Sequence, residues 1–247
     1  MRGVDGADSW ATDLHKMLNV PYESALVAVR DGRALHGSMA SAAPYLPAAG
    51  SDAALLPELQ NSRRARGVAA WAALQQLGAD GVAGLVDGCC DHAARLASLL
   101  QRGGAGIVAP VVFNQALVRF RNDDVTAAVA AAAQRDGRCW VAATQYHGRT
   151  VIRLSVSCWA TTDGDVEAAA RAILACNKEL EPPVFEGRGG APDPDVIAFI
   201  EGGPPPPPTD VPTALQPRCR ELFLEHIRPV LERSRRGNAG IGEANAE

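Results

Sequence analysis

Lys16 stands beside His15 in the stretch TDLHKMLNVP, and the apolar run SALVAV begins eight residues later. A lysine amine attacks a carbonyl once it loses its proton, and desolvation eases that loss, so lysine is the side chain suited to Schiff-base chemistry. Burying the charged form without a partner costs several kcal/mol, by order of magnitude. Lys16 is therefore either a nucleophile or a strand-end lysine whose ammonium reaches back to water. A second group with chemical potential is Cys89, Cys90 and His92. On one helix, neighbours at i and i+1 point apart, which works against a metal set. The other cysteines are Cys139, Cys158, Cys176 and Cys219, and none of the six forms a C-x-x-C pair. They read as buried, reduced thiols of a cytosolic protein.

These residues need elements to hold them. SALVAVR, residues 24–30, is apolar and β-branched enough for a buried strand, ended by Asp31-Gly32. From Arg33 to Leu59 the pattern dissolves into Ala, Ser, Pro and Gly, as in a long loop. Loops of that length in compact domains serve as lids or binding segments. SRRARGVAAWAALQQLG predicts a helix stopped by Gly78, and a second runs from about Asp80 to Gln101. IVAP and VVFNQALVRF read as strands, and Asp123 to about Arg135 as a helix. CWVAATQYHGRTVIRLSVS predicts a hairpin turning at His147-Gly148. Thr161 or Thr162 then caps a helix through about Cys176, with Asp163 and Asp165 in its first turn. This order is an α+β domain with an antiparallel sheet.

After Pro182 the composition becomes that of a linker, with GGPPPPPTDVP expected as extended polyproline helix. CRELFLEHIRPVLERSRR could add an amphipathic helix, interrupted by Pro229. The expectation for residues 182–247 is a disordered Pro/Gly-rich tail with a possible short helix, a partner-docking role being the alternative.

With 47% hydrophobic and 21% charged residues, most of the 247-residue chain should be globular. The net charge of -4 does not suggest a nucleic-acid binder. Charge or proline interrupts every apolar stretch well before the roughly 20 residues a membrane span needs. MRGVDGADSW has no apolar signal core, so a cytoplasmic location is expected.

Asp8-Ser9-Trp10, Asp13-Leu14-His15-Lys16 and Asn19-Val20-Pro21-Tyr22 together resemble the cofactor-lysine segment of the group II pyridoxal-phosphate-dependent amino-acid decarboxylases. The motif of this superfamily is an x-x-H-K-[WM] block followed by a strand, and here HKM leads into SALVAV. SRRARGVAAW and VIRLSVSCWATTDGDVEAAARAIL extend the resemblance, so that three ordered blocks cover about residues 8–177. The resemblance implies that Lys16 holds pyridoxal 5'-phosphate as a Schiff base and that His15 lies against its phosphate. A hydrogen-bonded loop histidine is the plain alternative. Tyr45, 29 residues after Lys16, matches the tyrosine of the family's mobile loop that protonates Cα after carbon dioxide leaves. An ordinary tyrosine anchoring a loop is the alternative there. Arg153 matches the arginine that helps hold the substrate carboxylate, a structural ion pair being the alternative. Arg63, Arg64 and Arg66 are expected to fix the domain junction. Asp13 departs from the Asn of many members and takes no role, because a carboxylate beside phosphate would repel it.

In the family, most of a large sheet, the phosphate cradle and the aspartate of the pyridine nitrogen precede the lysine, and residues 1–15 hold none of these. Asp5, only 11 residues before Lys16, is a loop residue. The fold implied is the α/β C-terminal fragment of a fold-type-I pyridoxal-phosphate-dependent transferase-like enzyme. Residues 1–60 would be a remnant of the cofactor-binding domain, 61–181 the small α+β domain and 182–247 the tail. The implied activity is decarboxylation of an L-amino acid, incomplete in this chain alone, with a homodimer partner or a complementing N-terminal chain. An aminotransferase-like enzyme and a non-catalytic interaction module are the competing readings.

Overall fold

Gly78 interrupts the longest helix of the chain with φ 63° and ψ -173°, a conformation closed to residues bearing a Cβ. The chain divides there into two units, Met1–Gly78 and Ala79–Glu247. The computed structural model describes residues 4–39, 63–180, 198, 199, 201, 202 and 204.

The first unit holds a short 3-10 turn (Val4–Gly6), strands β1 (Ser9–Asp13) and β2 (Ala25–Val29), and helix α1 (Gly32–Met39). The first half of α2 (Arg66–Arg102) also belongs to it. β1 and β2 pair antiparallel, from Ser9 opposite Val29 to Asp13 opposite Ala25. β1 was not foreseen, since SWATD carries neither a long apolar run nor β-branched bulk. The strand expected over residues 24–30 forms, but it is not buried: Ala25–Ala28 are exposed and Val29 is half-buried. A strand is buried only when layers cover its faces, and among the described residues β1 is the one strand hydrogen-bonded to it. The expected loop from Arg33 begins instead as α1, whose start Asp31 caps by accepting from the N–H groups of Arg33 and Ala34 at 2.9 and 3.3 Å.

The second unit follows the expected order. After α2 come β3 (Gly106–Ile107), β4 (Gln115–Arg119), α3 (Asp123–Asp136), β5 (Ala142–Tyr146), β6 (Arg149–Ser155) and α4 (Asp163–Leu180). The strands form one antiparallel sheet in the order β3-β4-β6-β5. β5 and β6 turn at His147 (φ 48°) and Gly148 (φ 73°), the two positive φ values a tight hairpin needs. Asn122 caps α3 by accepting the Val125 N–H at 2.9 Å. Thr162 and Asp165 cap α4 reciprocally: the Thr162 N–H donates to Asp165 at 2.8 Å, and the Asp165 N–H to Thr162 Oγ1 at 3.3 Å. Ala116 and Val118 of β4 and Ile152 and Leu154 of β6 join Leu96 and Leu100 of α2, Val129 of α3 and Ile173 of α4 in one core.

The tail contributes to that core. Phe199 is 1% exposed, and the Arg171 guanidinium lies 4.7 Å above its ring. Lys178 pairs with Glu201 at 3.9 Å. Phe199 thus packs with this core, where burial of an aromatic ring is favourable.

Candidate functional site

β1 ends at Asp13, and the chain must turn before it can return as β2. The buried Ser24 pins that turn through its carbonyl, which accepts the Leu14 N–H at 2.9 Å and the His15 N–H at 3.2 Å. His15 Nδ1 lies 2.8 Å from the same carbonyl. A carbonyl only accepts, so Nδ1 carries the ring proton. The Ser24 N–H, 3.2 Å from Nδ1, is the longer of the two contacts and finds no lone pair there. His15 Nε2 is then an acceptor in the neutral ring and a donor only when the ring is protonated. Tyr22 packs against the imidazole with centroids 4.0 Å apart and planes tilted 34°. Asn19, with φ 53°, closes the turn. Its N–H donates to the Lys16 carbonyl at 3.1 Å, and its side-chain amide donates to that carbonyl too.

Lys16 thus stands on a backbone held from both sides. Its Nζ lies 2.5 Å from Asp13 Oδ2, with the two side chains 63% and 41% exposed. The hydrogen bond from Lys16 holds the Asp13 carboxyl below its ordinary range, opposed by desolvation and helped by the charges of Lys16 and His15. The Asp13–Lys16 partnership was missed in the sequence, although the two residues stand three apart. Here it is the turn that brings them together.

The other expected site residues lie elsewhere. Arg153 belongs to the second unit, on β6, opposite Leu117 of β4 and Ala142 of β5. It is exposed on the face it shares with Val151 and Ser155, and it makes no ion pair among the described residues. Tyr45 lies outside the described residues. Arg66 begins α2 and reaches Glu23 at 3.4 Å, within the first unit. Burial pushes the thiols of Cys89, Cys139 and Cys176 up, which keeps them protonated. Among the described residues there is no group of three His, Cys, Asp or Glu side chains that could hold a metal. Nor is any described helix long and apolar enough to cross a membrane.

Residues 1–122 match the family model of the pyridoxal-dependent decarboxylase conserved domain. This region belongs to the pyridoxal-dependent decarboxylase family. No curated protein sequence matches the chain. Among solved structures, Oryza sativa TDC, crystallised with PLP and tryptamine, aligns with a TM-score of 0.66 at 22% identity, over 72% of this chain and 40% of that one. Catharanthus roseus tryptophan decarboxylase in complex with L-tryptophan aligns with a TM-score of 0.65 at 17% identity, over 72% and 40%. Rhodiola rosea 4-hydroxyphenylacetaldehyde synthase does so with a TM-score of 0.63 at 19% identity, over 72% and 38%. The chain therefore shares the α/β fold of decarboxylase structures over about 40% of their length. The His15–Lys16 turn lies inside the region that the decarboxylase family model matches.

Proposed function

We propose that this chain supplies the cofactor lysine and small domain of a pyridoxal-phosphate-dependent carboxy-lyase acting on an L-amino acid. The observation that carries this reading is the pinned turn that presents Lys16 and His15 side by side within the decarboxylase-matched region. The donor set suits a phosphorylated aldehyde. It offers a primary amine on a largely exposed side chain, next to an imidazole whose backbone contact fixes one nitrogen and leaves the other for an anion. When bound through a Schiff base to Lys16, pyridoxal phosphate supplies the ring that draws off the electrons left by carbon dioxide.

The rest falls to the chain's own side chains. His15 is assigned the phosphate, which its Nε2 can serve as a donor once the ring is protonated. Arg153 is assigned the substrate carboxylate, a role its exposure on the outer sheet face supports. Tyr45 is assigned proton delivery to Cα, and a tyrosine rather than a phenylalanine there favours amine over aldehyde as product. Residues 1–60, 61–181 and 182–247 are taken as cofactor-domain remnant, small domain and tail. A second copy or a complementing N-terminal chain would complete the site, and the free cysteines accord with a cytoplasmic location.

The competing reading, a non-catalytic interaction module, draws on the exposed Trp10, Tyr22 and Val27 of the first unit. Borohydride reduction with pyridoxal phosphate, followed by peptide mapping, separates the two. Preferential labelling of Lys16 over Lys178, the only other lysine, is expected, and carbon dioxide release from amino acids would then be assayed. Equal or absent labelling would favour the non-catalytic module.

A further inference from the structure

Asp13 enters neither the family-based assignment nor the roles given above, yet it makes the shortest ion pair to the residue that matters most. Its carboxylate lies 2.5 Å from the Lys16 amine. Both ends of the contact are fixed by main-chain bonds. Asp13 closes β1 opposite Ala25, its carbonyl accepts the Lys16 N–H at 3.4 Å, and the Lys16 carbonyl is tied to Asn19. The pair is therefore a property of the turn rather than a chance meeting of two long surface side chains.

We propose that Asp13 is a positioning residue for Lys16, holding its amine in the protonated form on the β1 side of the turn until an aldehyde competes for it. The proposal rests on the assignment of Lys16 as the cofactor lysine. The Asp13 carboxylate is in contact with this amine, and the His15 imidazole is its neighbour in sequence. Asp13 favours the charged amine at contact distance. Before reaction, the Lys16 ammonium gives one proton to solvent. The amine lone pair would then form a bond to the aldehyde carbon, and the two remaining N–H protons would pass to the aldehyde oxygen, which leaves as water. Asp13 opposes the first step electrostatically and orients the side chain for the second. A carboxylate here is thus compatible with an anionic cofactor: its partner is the lysine, and the phosphate is assigned to the other neighbour, His15.

The test is competitive acetylation of the purified full chain with trace acetic anhydride between pH 7 and 10, with the modification of Lys16 and Lys178 read by peptide mass spectrometry. An exposed ion pair is a modest interaction, so Asp13→Asn should label Lys16 faster at pH 8, by up to about five-fold, with Lys178 unchanged. Asp13→Glu should restore the slower profile, and 1 M salt should shrink the difference. Identical Lys16 profiles in the parent chain and Asp13→Asn would overturn the proposal, with unchanged Lys178 labelling and circular dichroism showing the variant folded. No cofactor enters this measurement, so its outcome is separate from that of the borohydride experiment. If Lys16 fails to trap the cofactor while Asp13→Asn still accelerates acetylation, the cofactor assignment fails and the pairing stands.

Discussion

The two sheets of this protein are built from similar residues and meet opposite fates. ALVAV of β2 is at least as apolar as RTVIRLS of β6, yet Val27 is 58% exposed while Ile152 is fully buried. The difference lies in what covers them. β6 is flanked by β4 and β5, and Ile152 packs in a core lined by α2, α3 and α4. β2 has β1 on one edge and, among the described residues, no further strand hydrogen-bonded to it. Apolar content therefore states what a strand can bury, and only the neighbouring layers decide what it does bury. The cofactor lysine is assigned to the turn of the exposed ribbon, whereas the covered sheet carries the buried core.

This contrast can be broken at either end. Lys16→Ala should abolish covalent cofactor attachment, read by imine absorbance and borohydride trapping, without lowering stability. Retained absorbance would remove Lys16 from the assignment. In the core of the second unit, Phe199→Ala and Ile152→Ala should each cost about 2–5 kcal/mol in denaturant unfolding. Val27→Ala on the ribbon should stay within about 0.5 kcal/mol. A Phe199→Ala variant as stable as the parent would mean that the docked tail adds nothing to the core.

Smaller effects sharpen the picture of the second unit. Asn122→Ala removes the cap of α3 and should cost about 1 kcal/mol in the same measurement. The Thr162 hydroxyl and N–H hold the Asp165 carboxyl below its ordinary value of 3.8. A carboxyl depressed in the folded state stabilises at pH above that value, and the benefit is lost as pH falls through the folded pKa. Thermal melts below about pH 4 should thus fall more steeply for the parent than for Asp165→Asn, the smallest change expected here.

What the sequence disclosed follows the same division. The second unit was legible because its signals are local: His147-Gly148 turns the hairpin, and Thr162 with Asp165 starts α4. Gly78 marked the helix break for the same reason. The burial of β2 was misjudged because covering layers are non-local and leave no trace in a strand's own residues. Phe199 escaped notice because one aromatic amid Pro and Gly gives no period to read. Within the site, His15 and Lys16 were visible as a pair. Asp13 became a partner only once the turn was known to fold it onto Lys16.

The carbonyl of Ser24, which gathers the Leu14, His15 and imidazole donors, carries one more consequence. Every residue type possesses that oxygen, so the anchor of the lysine turn is invisible to a comparison of side chains. Position 24 is free to drift among small residues that tolerate burial, and the presentation of Lys16 would survive each exchange. A turn held in this way is inherited through the shape of the main chain, and descendants could lose every recognisable letter around it while still offering the same amine at the same place.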